Sequence, residues 1–311
     1  MNTEGGSSGA ARRRVVLTGA AGYIAGLMLP GLRPRYDLTL LDVRGEDRAG
    51  NPVAGVEAAD LTAKDRDAYR AHFTGADAVV HAAFVHSDAS AETRAAGRSA
   101  LPGGGDSIAS QGEARFRAEF ANVAMAYNVY QTAREEGVRR VVMISSNHAA
   151  DYYEPLILDG AWDLVTPAMQ ERAVGYYGWA KATYEHLGFI FAQGGPGEPP
   201  LENVQIRIGG PREDDLERIE PGDMRRVRRA LAVYLSRRDL VQLIVKSIET
   251  AEIDDRHGVP FQVFYGISGN SHAFWSIANA RRVIGYAPQD NSELRFREQL
   301  ARHLAAAAGG E

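Results

Sequence analysis

The stretch Val15-Val16-Leu17-Thr18-Gly19-Ala20-Ala21-Gly22-Tyr23-Ile24-Ala25-Gly26 constrains this chain more than any other. An apolar strand runs into closely spaced glycines and then into a segment of helical period, an order that few folds accept. Gly19 permits a tight turn, and Gly22 lets the amides of a helix N-terminus approach a pyrophosphate. Ala25, followed by Gly26, is small enough for close helix packing. An isolated glycine pattern is often no more than a turn, so its meaning depends on the rest of the chain.

Beyond residue 26, short apolar runs alternate with longer helical segments, the pattern of a parallel sheet covered on both faces. Strands are expected at residues 15–18, 38–42, 56–59, 78–81, 141–145, 204–208 and 262–265. Helices are expected near 23–32, 65–73, 115–136, 177–191 and 239–250. The fold class is therefore α/β, a doubly wound parallel sheet of the Rossmann type with a small C-terminal substrate lobe. Residues 1–12 read as a flexible tail, 13–208 and 239–267 as the dinucleotide-binding domain, and 209–238 with 268–311 as the lobe. Two segments interrupt the pattern, 87–112 and 149–175. Both come after strand ends that should face a cofactor, where long loops serve as lids or substrate walls, although the polarity of the first equally fits disorder.

With 311 residues, 45% of them hydrophobic and 24% charged, the chain has ample material for a core. A formal net charge of -5 gives no electrostatic reason to expect nucleic acid or an anionic membrane as partner. The basic run Arg12-Arg13-Arg14 is too short to alter that. Cysteine is absent, which rules out disulfides and fits a reducing cytoplasm. The eight histidines are scattered, and His81 and His86 lack the helical spacing of a metal pair, so no metal is expected. No signal peptide is legible at the start, and no apolar run is long enough to span a bilayer.

Asp42 ends the second expected strand about twenty residues beyond the glycines, where a carboxylate accepts hydrogen bonds from ribose hydroxyls. It would repel a 2′-phosphate, which favours NAD over NADP, and Arg44 two residues on would soften that preference. Asp60-Leu61 and His81-Ala82-Ala83 come after the next strands and supply small or polar residues for the cofactor wall. The strand Val141-Val142-Met143-Ile144 delivers Ser145-Ser146-Asn147-His148 to the same edge. Tyr177 and Lys181 lie four apart on one helix face, so the ammonium can favour the phenolate and make tyrosine a base. In this reading Tyr177 takes a hydroxyl proton as hydride leaves carbon for a nicotinamide, and Ser146 holds the same oxygen. Lys181 lowers the tyrosine pKa and holds the nicotinamide ribose. A Tyr-x-x-x-Lys is common by chance; its place after the glycines, Asp42 and the serines gives it weight.

These motifs, in this order and with Asn122 and Arg207-Ile208-Gly209-Gly210-Pro211, resemble the extended short-chain dehydrogenase/reductase (NAD-dependent epimerase/dehydratase) family from Val15 to about Ala306. Within it the chain is similar to the uronate dehydrogenases, which oxidise the anomeric carbon of hexuronic acids to lactones with NAD. The resemblance rests on Ser145 to His148, Tyr177-Gly178-Trp179-Ala180-Lys181, Arg207 to Gly209, and Arg228-Arg229-Ala230-Leu231 leading to Ser236. It implies catalysis by Ser146, Tyr177 and Lys181. It implies cofactor contacts from Gly19, Ala21, Gly22, Tyr23, Ile24, Asp42, Asp60, Leu61, Ala82, Ala83, Asn122, Ser145, Tyr177, Lys181 and Ile208. It implies a sugar or sugar-acid substrate held by His86, Ser146, Asn147, His148, Gly210 and Arg228, whose fork would clamp a carboxylate. Four arginines, 225, 226, 228 and 229, compete for that clamp. It also implies a homodimer through the helices near 115–136 and 177–191.

The two long segments exceed what the resemblance leads one to expect, and a serine expected after Ala83 is replaced by the neighbourhood of His86. A larger glycoside or natural-product intermediate is therefore an alternative substrate. An epimerase with a retained NAD would use the same Tyr, Lys and Ser but normally needs a larger lobe. A dehydratase would want an acid pair where Asn147 and His148 stand. An NAD-sensing scaffold would usually lack Tyr177 or Lys181.

Overall fold

Period-two alternation along each strand decides the architecture, because it sends neighbouring side chains to opposite faces of one sheet. In the computed structural model, which describes residues 12–86 and 108–309, Val15, Leu17, Val80 and Val142 join one core cluster while Val16, Val79, Val141 and Met143 join another. The strands are β1 (Arg14–Thr18), β2 (Asp37–Asp42), β3 (Val56–Ala58), β4 (Ala78–His81), β5 (Arg140–Ser146), β6 (Glu202–Ile208) and β7 (Phe261–Gly266). They form one parallel sheet in the order β3-β2-β1-β4-β5-β6-β7. The order reverses between β1 and β4, which makes the crevice above those two strands the natural ligand site.

On the first face lie α1 (Tyr23–Leu32) and α7 (Arg237–Glu249); on the second lie α3 (Ile108–Glu135) and α5 (Tyr176–Gln193). Between them in sequence come α2 (Asp67–Arg70), α4 (Tyr153–Leu158) and α6 (Met224–Val233), and the chain closes with α8 (Ala278–Ile284), α9 (Ser292–Arg295) and α10 (Arg297–Ala308). Local chemistry sets several ends. Ser236 caps α7 by accepting from Asp239 N, and Asp223 caps α6 by accepting from Arg226 N. Buried Arg140 donates to the Ser247 and Thr250 carbonyls at the C-terminus of α7 and pairs with Glu202, tying β5, β6 and that helix together.

All seven expected strands are present, within one or two residues at each end. The helix expected over 65–73 shortens to Asp67–Arg70, and the helix near 115–136 starts at Ile108 with a kink at Gly112, whose φ is 62°. Segment 149–175 is not an open lid. A 3-10 turn at Asn147–Ala150 leads into α4; Tyr153, Ile157 and Val165 are buried in the core, and Val165 bridges to Trp275. Of segment 87–112, residues 87–107 lie outside the described residues, as does most of the expected tail. Leu216, Val227, Ala230, Leu231, Tyr234 and Phe296 form a separate cluster that joins the segment after β6 to the C-terminal helices.

Candidate active site

The parallel register pairs Thr18 with His81, His81 with Met143 and Ser146 with Ile208, so the strands end toward one edge of the sheet, with β5 and β6 running three residues further. At β1 the chain turns through Gly19, φ +68°, where a Cβ would lie 2.5 Å from the Ala83 backbone. Only glycine meets both demands. Gly22 N closes the turn onto Gly19 O, and Gly22 stands at the head of α1 with no side-chain cap. The first-turn amides, Tyr23 and Ile24 among them, are thus left for an external acceptor. Asp42 stands beside this turn: one carboxylate oxygen accepts from Ala21 N at 3.0 Å and the other from Arg44 N at 3.0 Å. Each oxygen keeps a lone pair for a ribose hydroxyl. A cleft lined by Arg44, Glu46, Asp47 and Pro52 adjoins it. NAD fits this cradle: a glycine turn no Cβ would tolerate, an uncapped helix head and an oriented carboxylate.

Several expected cofactor residues have other work. Exposed Asp60 accepts from Thr62 N and Oγ1, closing its own turn. Leu61 is core, and its carbonyl is held by Asn128, a residue the motifs did not flag. Asn122 clamps the main chain of Val85, accepting from its amide at 2.7 Å and donating to its carbonyl at 2.9 Å. Ser145 donates to Glu185 at 2.7 Å rather than facing the crevice. Glu185, one turn past Lys181 on α5, also receives Arg207, so a buried ion pair fixes the catalytic helix to β5 and β6. Ala82 and Ala83 pack against the Gly19 turn as expected, and Ile208 is buried opposite Ser146.

At the end of β5, Ser146 Oγ accepts from His148 N at 3.2 Å, and Ser146 is near enough to Tyr177 to act on its phenol. Gly178 explains how the helix comes so close: a Cβ there would sit 2.1 Å from the His148 carbonyl oxygen. Lys181 is buried, donates to Ile144 O at 3.0 Å, and lies over the rings of Tyr184, Phe84 and Tyr177. Electrostatics depart from expectation here. Burial pushes the Tyr177 phenol up to about 12, opposed by the Ser146 hydrogen bond; the Glu119 charge adds to the rise and Arg212 opposes it. Burial also lowers Lys181 to about 8 against the pull of Glu119 and Glu185. Burial is the largest influence on the phenol and favours its neutral form, and Lys181 is not among the charges that shift it.

Toward the substrate side, His148 stacks edge-on with Tyr177 and bonds Asp151, which in turn accepts from Val174 N. Asn147 is buried and donates to Glu154. Gly210 N bonds Val233 O, and its bare Cα faces the Asp215 carboxylate. Exposed His86 stacks on Phe84, and Phe84 is the residue that packs edge-on against Tyr177, at 5.4 Å. Only the general position after Ala83 pointed to it. Arg228 lies on the exposed face of α6, whereas Arg229 turns inward and bonds Glu154 at 3.0 Å. Burial and partner separate the two: Arg229 is half-buried on Glu154, whereas Arg228 stays in solvent. Arg225 and Arg226 pair with Asp159 and Asp223.

A family model described as NAD(P)H-binding matches residues 19–187, more than half the chain and all of the site up to Tyr177 and Lys181. The chain belongs to this family, and its motifs and sheet make it an extended short-chain dehydrogenase/reductase. It is similar to a uronate dehydrogenase of Pseudomonas putida, 29% identical over 95% of this chain and 90% of that one. An L-arabinose 1-dehydrogenase (NAD(P)(+)) of Haloferax volcanii is 28% identical over 90% of this chain and 97% of that one. Among solved structures, a mutant uronate dehydrogenase from Agrobacterium tumefaciens complexed with NAD superposes with a TM-score of 0.66 and 25% identity, covering 94% of this chain and 90% of that one. Among the described residues, no group of three or more acidic, histidine or cysteine side chains is arranged to hold a metal, and no helix is long and apolar enough to cross a membrane.

Proposed function

We propose that the protein is an NAD-dependent dehydrogenase that oxidises a sugar or sugar acid at its anomeric carbon, releasing a lactone. One observation carries this reading: Tyr177, beside Ser146 at the end of β5 and with Lys181 buried next to it, stands at the same sheet edge as the Gly19 turn and Asp42. Bound NAD supplies the hydride acceptor. Ser146 and Tyr177 hold the C1 hydroxyl; as the C1–H bond gives up its hydride, the hydroxyl proton passes to Tyr177 and a C=O bond forms. Burial holds this phenol high without ligand, and a bound nicotinamide would supply positive charge that favours the phenolate. Lys181 holds the nicotinamide ribose.

His148, kept in place by Asp151, and Asn147, kept by Glu154, border the sugar, and residues 209–238 with 268–311 form the substrate lobe. Arg229 takes the place on α6 that the sequence pattern offered to Arg228. Exposed Phe120, Tyr127 and Ile190 on α3 and α5 support a homodimer through those helices. The test is NADH formation from NAD and a panel of aldoses and hexuronates. Turnover should appear in the native protein and fall at least about a thousandfold in Tyr177→Phe, while NAD binding is unchanged; equal turnover in the variant removes Tyr177 from the base role.

A further inference from the structure

Glu154 is fully buried, and its carboxylate lies between the two side chains a sugar's polar groups would meet. It accepts from Asn147 Nδ2 at 2.8 Å and from Arg229 Nε at 3.0 Å. Asn147 directly follows Ser146, so Arg229 stands two side chains away from the reacting hydroxyl. A guanidinium there is the obvious anchor for a substrate carboxylate, yet its charge is already answered by Glu154, and the Asp215 carboxylate lies within its field as well. Arg225 and Arg226 are committed to Asp159 and Asp223, and Arg228 is on the outer face. Among the described residues, Arg212 also acts on Tyr177, but it is exposed on the loop after β6 and is itself flanked by Asp214 and Asp215.

An acid entering this site would meet a neutralised ion pair and a second carboxylate, and would exchange its water for little attraction. We infer that Glu154 is a specificity-determining residue that, by neutralising Arg229, sets the site for neutral aldoses, whose hydroxyls meet the accessible part of Arg229 with no charge to match, and against hexuronates. This rests on the dehydrogenase reading and narrows its substrate class.

The experiment compares kcat/KM for NADH formation from glucose, galactose and arabinose with that from glucuronate and galacturonate. The native protein should favour at least one neutral aldose over both acids by about tenfold or more. Glu154→Gln keeps the shape and the acceptor for Asn147 but frees the Arg229 charge, and should move the ratio toward the acids by about tenfold, with NAD binding retained. A native preference for the acids overturns the inference and leaves the dehydrogenase reading standing; so does a ratio unmoved in a Glu154→Gln protein that still binds NAD. NADH from none of the sugars overturns the proposed oxidation of simple aldoses or hexuronates, and the inference with it. The native ratio needs no variant, so a Glu154→Gln chain that fails to fold does not remove the test.

Discussion

The cofactor cradle and the substrate wall sit on the same sheet edge but are built in opposite ways. The cradle works through backbone and through what is missing from side chains: Gly19 has no Cβ to strike Ala83, Gly22 leaves the head of α1 uncapped, and Ala82 and Ala83 are small. The wall works through side chains that neutralise one another across long sequence distances, Arg229 with Glu154 and Arg207 with Glu185. A backbone cradle serves one invariant ligand. A wall of ion pairs can be retuned by single substitutions while the sheet stays intact, because each charge is held by a neighbour that can be changed.

The cradle should be the less forgiving of the two. Gly19→Ala places a left-handed alanine, costing about 1–2 kcal/mol, against backbone that cannot give way, adding about 1–3 kcal/mol. Stability should fall by several kcal/mol in urea titration and NAD affinity should fall with it; a variant as stable as the native protein would mean the turn is not under the constraint described.

A smaller effect is expected at the catalytic centre, where cradle and wall meet. Glu119 is buried near Lys181 and accepts from Asn122, and burial raises its carboxyl from the ordinary 4.5 to about 7. The folded state keeps this proton longer than the unfolded chain does, so its contribution to stability is complete below about 4.5 and is lost as pH rises to about 7. The shift corresponds to about 3 kcal/mol over that window. Glu119→Gln should flatten the pH dependence of the urea midpoint there; an unchanged slope would place the titrating group elsewhere.

The smallest effect separates neighbours on α6. Arg228→Ala, on the exposed face, should change stability by no more than about 0.5 kcal/mol and leave turnover as it was. A large loss of turnover would return the inward role to Arg228.

The same contrast explains how far the sequence could be read. The seven strands were legible because each is a short apolar run with a defined end, and Gly19, Asp42, Ser146, Tyr177 and Lys181 could be singled out as candidates because their motifs depend on local spacing. Glu154 was not, since nothing near Tyr153 and Pro155 in sequence announces a partner seventy-five residues away on α6. Arg229 was hidden for a related reason: four arginines fall in one run, and only the contact with Glu154 tells which of them turns inward. Ser145 and Asn122 show the reverse. Each sits where a cofactor residue is expected, but longer-range partners, Glu185 and Val85, claim their side chains. That Tyr177 and Lys181 share a helix face was plain from spacing, whereas the burial that raises the phenol is a property of the packed helix.

Oxidation at the anomeric carbon is tested most directly by tracing the transferred hydrogen itself. An aldose carrying deuterium at C1 is incubated with the protein and NAD, and the reduced cofactor is examined by mass spectrometry. Hydride transfer from C1 predicts one deuterium in the reduced cofactor and an unlabelled lactone as the other product. Reduced cofactor without deuterium, or label retained in the sugar product, would contradict it.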